Sequence, residues 1–258
     1  MSYEEALQRI KRWKRRSKLN SWLNLSCCNL TELPPLPQNV RKLNLRLNPL
    51  TDVIFDCLPN SIQMLRLSRT NITRLDKLPI SLKWLVCQGT LTLVRVNIYA
   101  PNLKYVDLSG CSCLKYILDL SDAIRILILF VCMSVKKIKA FPKNMLYFYA
   151  TDISLKILPE FPPTLRVLKI VDTYITTLPK LPESLVYICI RRSFMDIFPV
   201  LPISIVYVNI HIRSVDLSYS KQDISQLQLN ISDNTMELYK DSTILKNIFN
   251  YINTKTPS

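Results

Sequence analysis

Eight cysteines and a single histidine are the side chains from which this 258-residue chain could build a reactive or metal-binding centre. His211 alone cannot pair two imidazoles or make a histidine-rich metal site. Cys27-Cys28 and Cys111-Ser112-Cys113 lack the C-x-x-C spacing that zinc sites favour. The two glycines, Gly89 and Gly110, cannot complete G-x-G-x-x-G or G-x-x-x-x-G-K, so a Gly-rich phosphate loop is excluded. These residue types point away from an enzyme, and no metal or cofactor is expected. No secretory signal peptide opens the chain, so the cysteines read as reduced thiols.

Recognition chemistry is better supplied. Against 19 acidic residues stand 34 Lys and Arg, a net charge of +15. Such a balance suits an acidic partner, whether protein, nucleic acid or membrane surface. The longest purely apolar run, Ile126–Met133, falls far short of the roughly 20 residues a membrane helix needs. With 48% hydrophobic and 21% charged residues, the chain is globular.

The elements that must position these side chains come from an internal repeat. Leu-type anchors fall at Leu23, Leu43, Leu65, Leu85, Val106, Leu127, Phe148, Leu168, Ile188 and Val208, a period of 20 to 22 residues. Apolar residues at the anchor and two positions later predict a short strand with one face in a core and the other in solvent. Small residues five positions after the anchors (Cys28, Asn48, Thr70, Thr90, Cys111, Cys132, Thr173, Ser193) suit a stacked turn, where they could satisfy backbone amides. Fifteen of the 16 prolines lie between Pro34 and Pro202, so the return segments are expected to be extended or polyproline-like. The fold class read from this pattern is a leucine-rich-repeat solenoid. Its parallel sheet lines the concave side, and helices cap the ends.

The domain reading is a helical cap at 1–19, a solenoid of about ten repeats at 20–217, and a C-terminal cap and tail at 218–258. Ser2-Tyr3-Glu4-Glu5 reads as a capping box. It opens a helix to about Arg16 that lays Ala6, Leu7, Ile10 and Trp13 on the first repeat. The opposite face is basic, from Arg9 to Lys18, and is read as a solvated cap face.

The junctions Leu33-Pro34-Pro35-Leu36-Pro37 and Leu178-Pro179-Lys180-Leu181-Pro182, each followed by a fresh repeat, carry a resemblance over about residues 20–217. The repeat resembles that of bacterial type III secretion effectors of the YopM and IpaH/SspH kind. The resemblance implies a non-enzymatic scaffold, secreted into a host cell, that binds a host protein on its concave face. Some of those effectors carry a ubiquitin-ligase domain with a C-x-D cysteine; no Cys here is followed two residues later by Asp. Similar Leu-Pro repeats also occur in giant-virus and other AT-rich genomes. An alternative reading is therefore a cytoplasmic nucleic-acid-binding protein or a ligase-substrate adaptor from such a genome. The middle repeats, Val94 to Phe141, lose the L-P-x-L-P junction.

On such a solenoid, positions one before, one after and three after each anchor face the concave solvent. Trp84, Tyr105, Ile126, Ile128, Phe130, Tyr147, Tyr149 and Tyr187 fall there and are the expected apolar anchors for a partner. Arg41, Arg66, Lys104 and Arg125 lie in the first half of that face and are expected to steer and pair an acidic protein surface. The same mixture could stack and neutralise single-stranded nucleic acid.

Overall fold

The computed structural model describes residues 3–16, 20–195 and 199–212. In chain order it contains α1 (Tyr3–Arg16), β1 (Trp22–Asn24), β2 (Lys42–Asn44), β3 (Met64–Arg66), β4 (Arg74–Leu75), β5 (Trp84–Val86), β6 (Arg95–Ile98) and β7 (Tyr105–Asp107). These are followed by β8 (Tyr116–Leu120), β9 (Ile126–Phe130), β10 (Lys137–Ile138), β11 (Tyr147–Ile153), β12 (Val167–Thr173), β13 (Tyr187–Ser193) and β14 (Tyr207–Ile212). A 3-10 helix, Asp52–Cys57, lies between β2 and β3.

Ten of the strands form one parallel sheet in the order β1-β2-β3-β5-β7-β9-β11-β12-β13-β14. The anchors meet one another throughout: Leu23 faces Leu43, Leu43 faces Leu65, and the register runs unbroken to Ile188 against Val208. Slipping one strand by a residue would turn its apolar set into water, so the core holds this register. Leu23, Leu43, Leu65, Leu85, Val106, Leu127, Phe148, Leu168 and Ile188 are all buried in one continuous core.

The convex side differs from the polyproline-like return expected for every repeat. There β4, β6, β8 and β10 make a second parallel sheet, in the order β10-β8-β6-β4. Three of its strands, β6, β8 and β10, lie between Val94 and Phe141, where the L-P-x-L-P junction is lost, and β4 lies one repeat earlier, ahead of Leu78-Pro79; none of the four strands contains a proline. Proline has no N–H to give a ladder. Where the stretch just after the turn holds no proline, adjacent return segments hydrogen-bond, as Lys115 N to Val94 O at 2.9 Å and Lys136 N to Lys115 O at 2.9 Å. Among the described residues, the Pro-rich returns of the later repeats form no such strands.

The turn after each concave strand is a second ladder. Four residues past the anchors, Cys27, Leu47, Arg69, Gly89, Gly110, Val131, Asp152, Asp172 and Arg192 all adopt a left-handed backbone, φ between 49° and 73°. Both glycines of the chain stand in it. The small residues one position on are buried, as expected, but most of them serve carbonyls rather than amides. Thr70 Oγ1 donates to Leu67 O at 2.8 Å, Cys111 Sγ to Cys87 O at 3.0 Å, and Cys132 Sγ to Leu108 O at 3.2 Å. Asn48 does both: its Oδ1 accepts from Cys28 N and Leu30 N, while its Nδ2 donates to Leu25 O and Leu45 O.

Helix α1 closes the first repeat. Ala6, Ile10 and Trp13 are buried beneath it, and Trp13 Nε1 donates to Ser21 O at 3.3 Å. Leu7 does not join that face and stays 41% exposed. Ser2, the expected N-cap, and the expected cap at 218–258 lie outside the described residues.

Candidate protein-interaction face

Strand register brings the expected apolar residues together. Trp84 pairs with Tyr105 and Tyr105 with Ile126, while Tyr147 pairs with Ile126 and Tyr149 with Ile128. Neighbouring strands lie about 4.8 Å apart, so the side chains touch edge to edge across the concave floor. Trp84, Val86, Tyr105, Ile126, Ile128 and Tyr149 form one cluster, with Trp22, Met64, Phe130, Tyr147 and Val167 packed partly buried against it. The Trp84 and Tyr105 rings stack at 5.5 Å, and Phe130 meets Tyr149 edge-on at 6.5 Å.

That packing corrects the expectation of individually exposed anchors. Trp84, Tyr105, Ile126, Ile128 and Tyr149 keep between 2% and 8% exposure. On an inward-curving sheet each large side chain shields its neighbours from water. Of the expected anchors in the patch, Phe130 and Tyr147 remain half-buried and accessible, as do Trp22, Met64 and Val167 at its edges. Tyr187 stands apart from this cluster: its ring stacks on Tyr207 at 4.6 Å.

Trp22 and Met64 belong to the same floor but were not among the expected anchors. Their position one before the anchor was the signal. What hid them was a break in the apolar column, because Lys42 stands between them on β2.

The basic residues divide into two groups. Arg66 is not a free steering charge. Its guanidinium lies 4.5 Å from the Trp22 ring centre and 5.3 Å from that of Trp84. A cation over indole faces gains electrostatically from the ring quadrupole. Burial and the neighbouring Arg46 lower the Arg66 pKa. Arg66 therefore bridges two repeats' tryptophans within the protein.

Arg41, Lys83, Lys104 and Arg125 form the other group, a row just before the strands. Their carbonyls fix the row: Gln63 N and Met64 N both donate to Arg41 O, and Arg125 N and Ile126 N both donate to Lys104 O. Among the described residues no carboxylate comes within ion-pair distance of these four. The acid beside the patch, Asp107, is committed. It accepts from Gln88 Nε2 at 2.7 Å and from Ser109 N and Oγ at 3.0 and 2.6 Å. Burial first, and Asp107 second, raise the Tyr105 pKa, so its phenol stays neutral.

The fold is a leucine-rich-repeat solenoid. It is similar to the YopM structure from Yersinia enterocolitica WA-314, at TM-score 0.42 and 21% identity, with 81% of this chain and 54% of that chain covered. A Shigella effector leucine-rich-repeat domain gives TM-score 0.42 and 21% identity, covering 74% of this chain and 77% of that one. YopM from Yersinia pestis gives 0.40 and 19%, covering 81% and 82%. The chain thus spans about half the length of the first of these, 54%. No protein-family profile matches the sequence, and no curated protein matches it.

Among the described residues no three His, Cys, Asp or Glu gather where they could hold a metal ion. The buried thiols serve the turns. Cys111 is raised by its hydrogen bonding with Cys87 and by burial, and burial pushes Cys132 up to about 12. No helix among the described residues is long and apolar enough to cross a membrane.

Proposed function

We propose that the protein is a non-enzymatic interaction scaffold whose concave face takes a protein partner with an acidic, partly apolar surface. The observation that carries this reading is the aromatic-rich apolar floor from Trp22 to Val167, running beside Arg41, Lys83, Lys104 and Arg125, which have no ion-pair partner among the described residues. Aromatic residues at the centre of a surface, rimmed by basic ones, are the composition of interface hot spots. The row of charge would steer an acidic partner, and Phe130 and Tyr147 would meet its apolar groups. The finer reading is of an effector delivered into a host cell, where the partner is a host protein. It is supported by the L-P-x-L-P junctions at Pro34–Pro37 and Pro179–Pro182.

The test is capture of partners from eukaryotic lysate on the immobilised protein, with and without nuclease, beside Phe130→Ala/Tyr147→Ala. A protein that survives nuclease and is lost from the variant is the expected result, each truncation costing on the order of 2 kcal/mol of binding. Capture that vanishes with nuclease and falls steeply with salt would refute the reading and make the face a nucleic-acid site.

A further inference from the structure

The convex sheet presents a second charged surface, independent of the concave face. Hydrogen bonding aligns Val94, Lys115 and Lys136 just ahead of β6, β8 and β10, and register aligns Arg95, Tyr116 and Lys137 beside them. All six side chains are exposed. Acids do occur on this side of the molecule, but they are already engaged. Arg74 pairs with Asp52 and Asp76, Lys77 with Asp56, Lys139 with Asp119, and Lys143 with Asp122. Among the described residues none comes within ion-pair distance of Arg95, Lys115, Lys136 or Lys137. Four like charges therefore sit on or just ahead of three neighbouring strands spaced about 4.8 Å apart, with no ion-pair partner among the described residues.

Apolar groups interleave with this charge. Val94 is 36% and Tyr116 40% exposed within the patch, and the turns leading into it present Leu91 and Met133 at 60% and 56%. Lysines on long stems, with a tyrosine and aliphatic tips between them, suit the headgroup layer of a bilayer: charge meets phosphate while ring and methyls enter the interface. Shape favours the same partner. A plane can reach the outer side of a repeat solenoid, whereas its concave side is closed to a plane. That outer side gives a narrow peptide or nucleic-acid strand no walls.

We propose that the convex sheet docks the protein on an anionic phospholipid surface. Arg95, Lys115, Lys136 and Lys137 contact the headgroups, and Tyr116 sits at the interface. A scaffold held this way would turn its concave face away from the membrane, toward the partner it binds.

The test is co-sedimentation of the full chain with vesicles of phosphatidylcholine alone or mixed with phosphatidylserine. Two triple variants are compared: Lys115→Glu/Lys136→Glu/Lys137→Glu on the convex sheet and Lys83→Glu/Lys104→Glu/Arg125→Glu on the concave row. Circular dichroism checks that both fold. Each lysine near an anionic surface contributes about fivefold to binding, so the convex triple should weaken it by about 100-fold or more. The concave triple should change it by less than about threefold, and Tyr116→Ala should weaken it without changing its salt dependence. No binding to the serine-containing vesicles overturns the proposal. Equal loss from both triples overturns it too, since net charge rather than this sheet would then be responsible. So does a convex triple that loses an oligonucleotide while vesicles stay unbound, which would make the sheet a nucleic-acid surface. The lipid result is read without any protein partner, so it stands or falls separately from the concave-face function.

Discussion

Gly89 and Gly110 occupy equivalent places in the left-handed turn ladder, yet replacing each by alanine should do unequal harm. Both have positive φ, 61° and 73°. A Cβ in that region costs about 1–2 kcal/mol, and the stiffer unfolded chain returns about 0.4–1 kcal/mol. This leaves a net loss of about 1 kcal/mol at either position. The surroundings then separate them. At Gly89 a Cβ would meet Arg69 Cγ at 3.4 Å, the stem of an exposed side chain that can move. At Gly110 it would meet the backbone of Gly89, N at 3.2 Å and Cα at 3.3 Å, which cannot yield without shifting the neighbouring turn. Such crowding adds about 1 kcal/mol. At about 2–4 °C per kcal/mol for a chain this long, Gly89→Ala should lower the melting temperature by about 2–4 °C and Gly110→Ala by about 4–8 °C. Thermal unfolding followed by circular dichroism reads both. Equal shifts, or a larger one at Gly89, would refute the backbone-on-backbone packing of these turns.

Asn48→Ala leaves the amides of Cys28 and Leu30 and the carbonyls of Leu25 and Leu45 without their side-chain partner in the core, and should cost about 3 kcal/mol in denaturant unfolding. Thiol labelling at neutral pH should modify the exposed Cys57 and Cys113 first, while Cys28, Cys87, Cys111, Cys132 and Cys189 react only on unfolding; mass spectrometry of the labelled peptides decides. Burial and the nearby Asp172 raise the Asp152 pKa above its ordinary 3.8. A carboxyl with a raised folded pKa stabilises most below its unfolded value and loses that contribution as pH rises through the folded one. Asp152→Asn, which also tolerates the left-handed backbone, should therefore raise the melting temperature at neutral pH, with the gain fading below about pH 4; a gain that grows on acidification would contradict the assignment.

The repeat, the strand positions and the parallel register were all legible in the chain. An apolar residue at each anchor and two later leaves one buried arrangement for stacked strands, and any slip exposes the set. The capping helix was legible from the helical spacing of Ala6, Ile10 and Trp13, except that Leu7 turned outward. The convex side was legible only in part. Proline positions mark where a return segment cannot join a ladder, but whether proline-free segments pair depends on how close neighbouring returns come. Leu47 and Val131 carry no sequence sign of a left-handed turn; only the glycines and aspartates hint at it, and the stacking imposes it on the others.

The sequence by itself determined which strand residues share the concave face, because alternation assigns a side to each once the anchors are known, whereas Arg41, Lys104 and Arg125, two before their anchors, fall outside that rule. Only the tertiary structure decided what those residues are there. Trp22, Arg66 and Trp84 come from separate repeats, yet they close on one another across the sheet, turning an apparent free charge into an internal bridge. Packing across the strands buries Trp84, Tyr105 and Tyr149 and leaves Phe130 and Tyr147, of the expected anchors in the patch, accessible. Exposure and pairing are properties of side chains on adjacent repeats, some 20 residues apart in the chain, and no single repeat contains them.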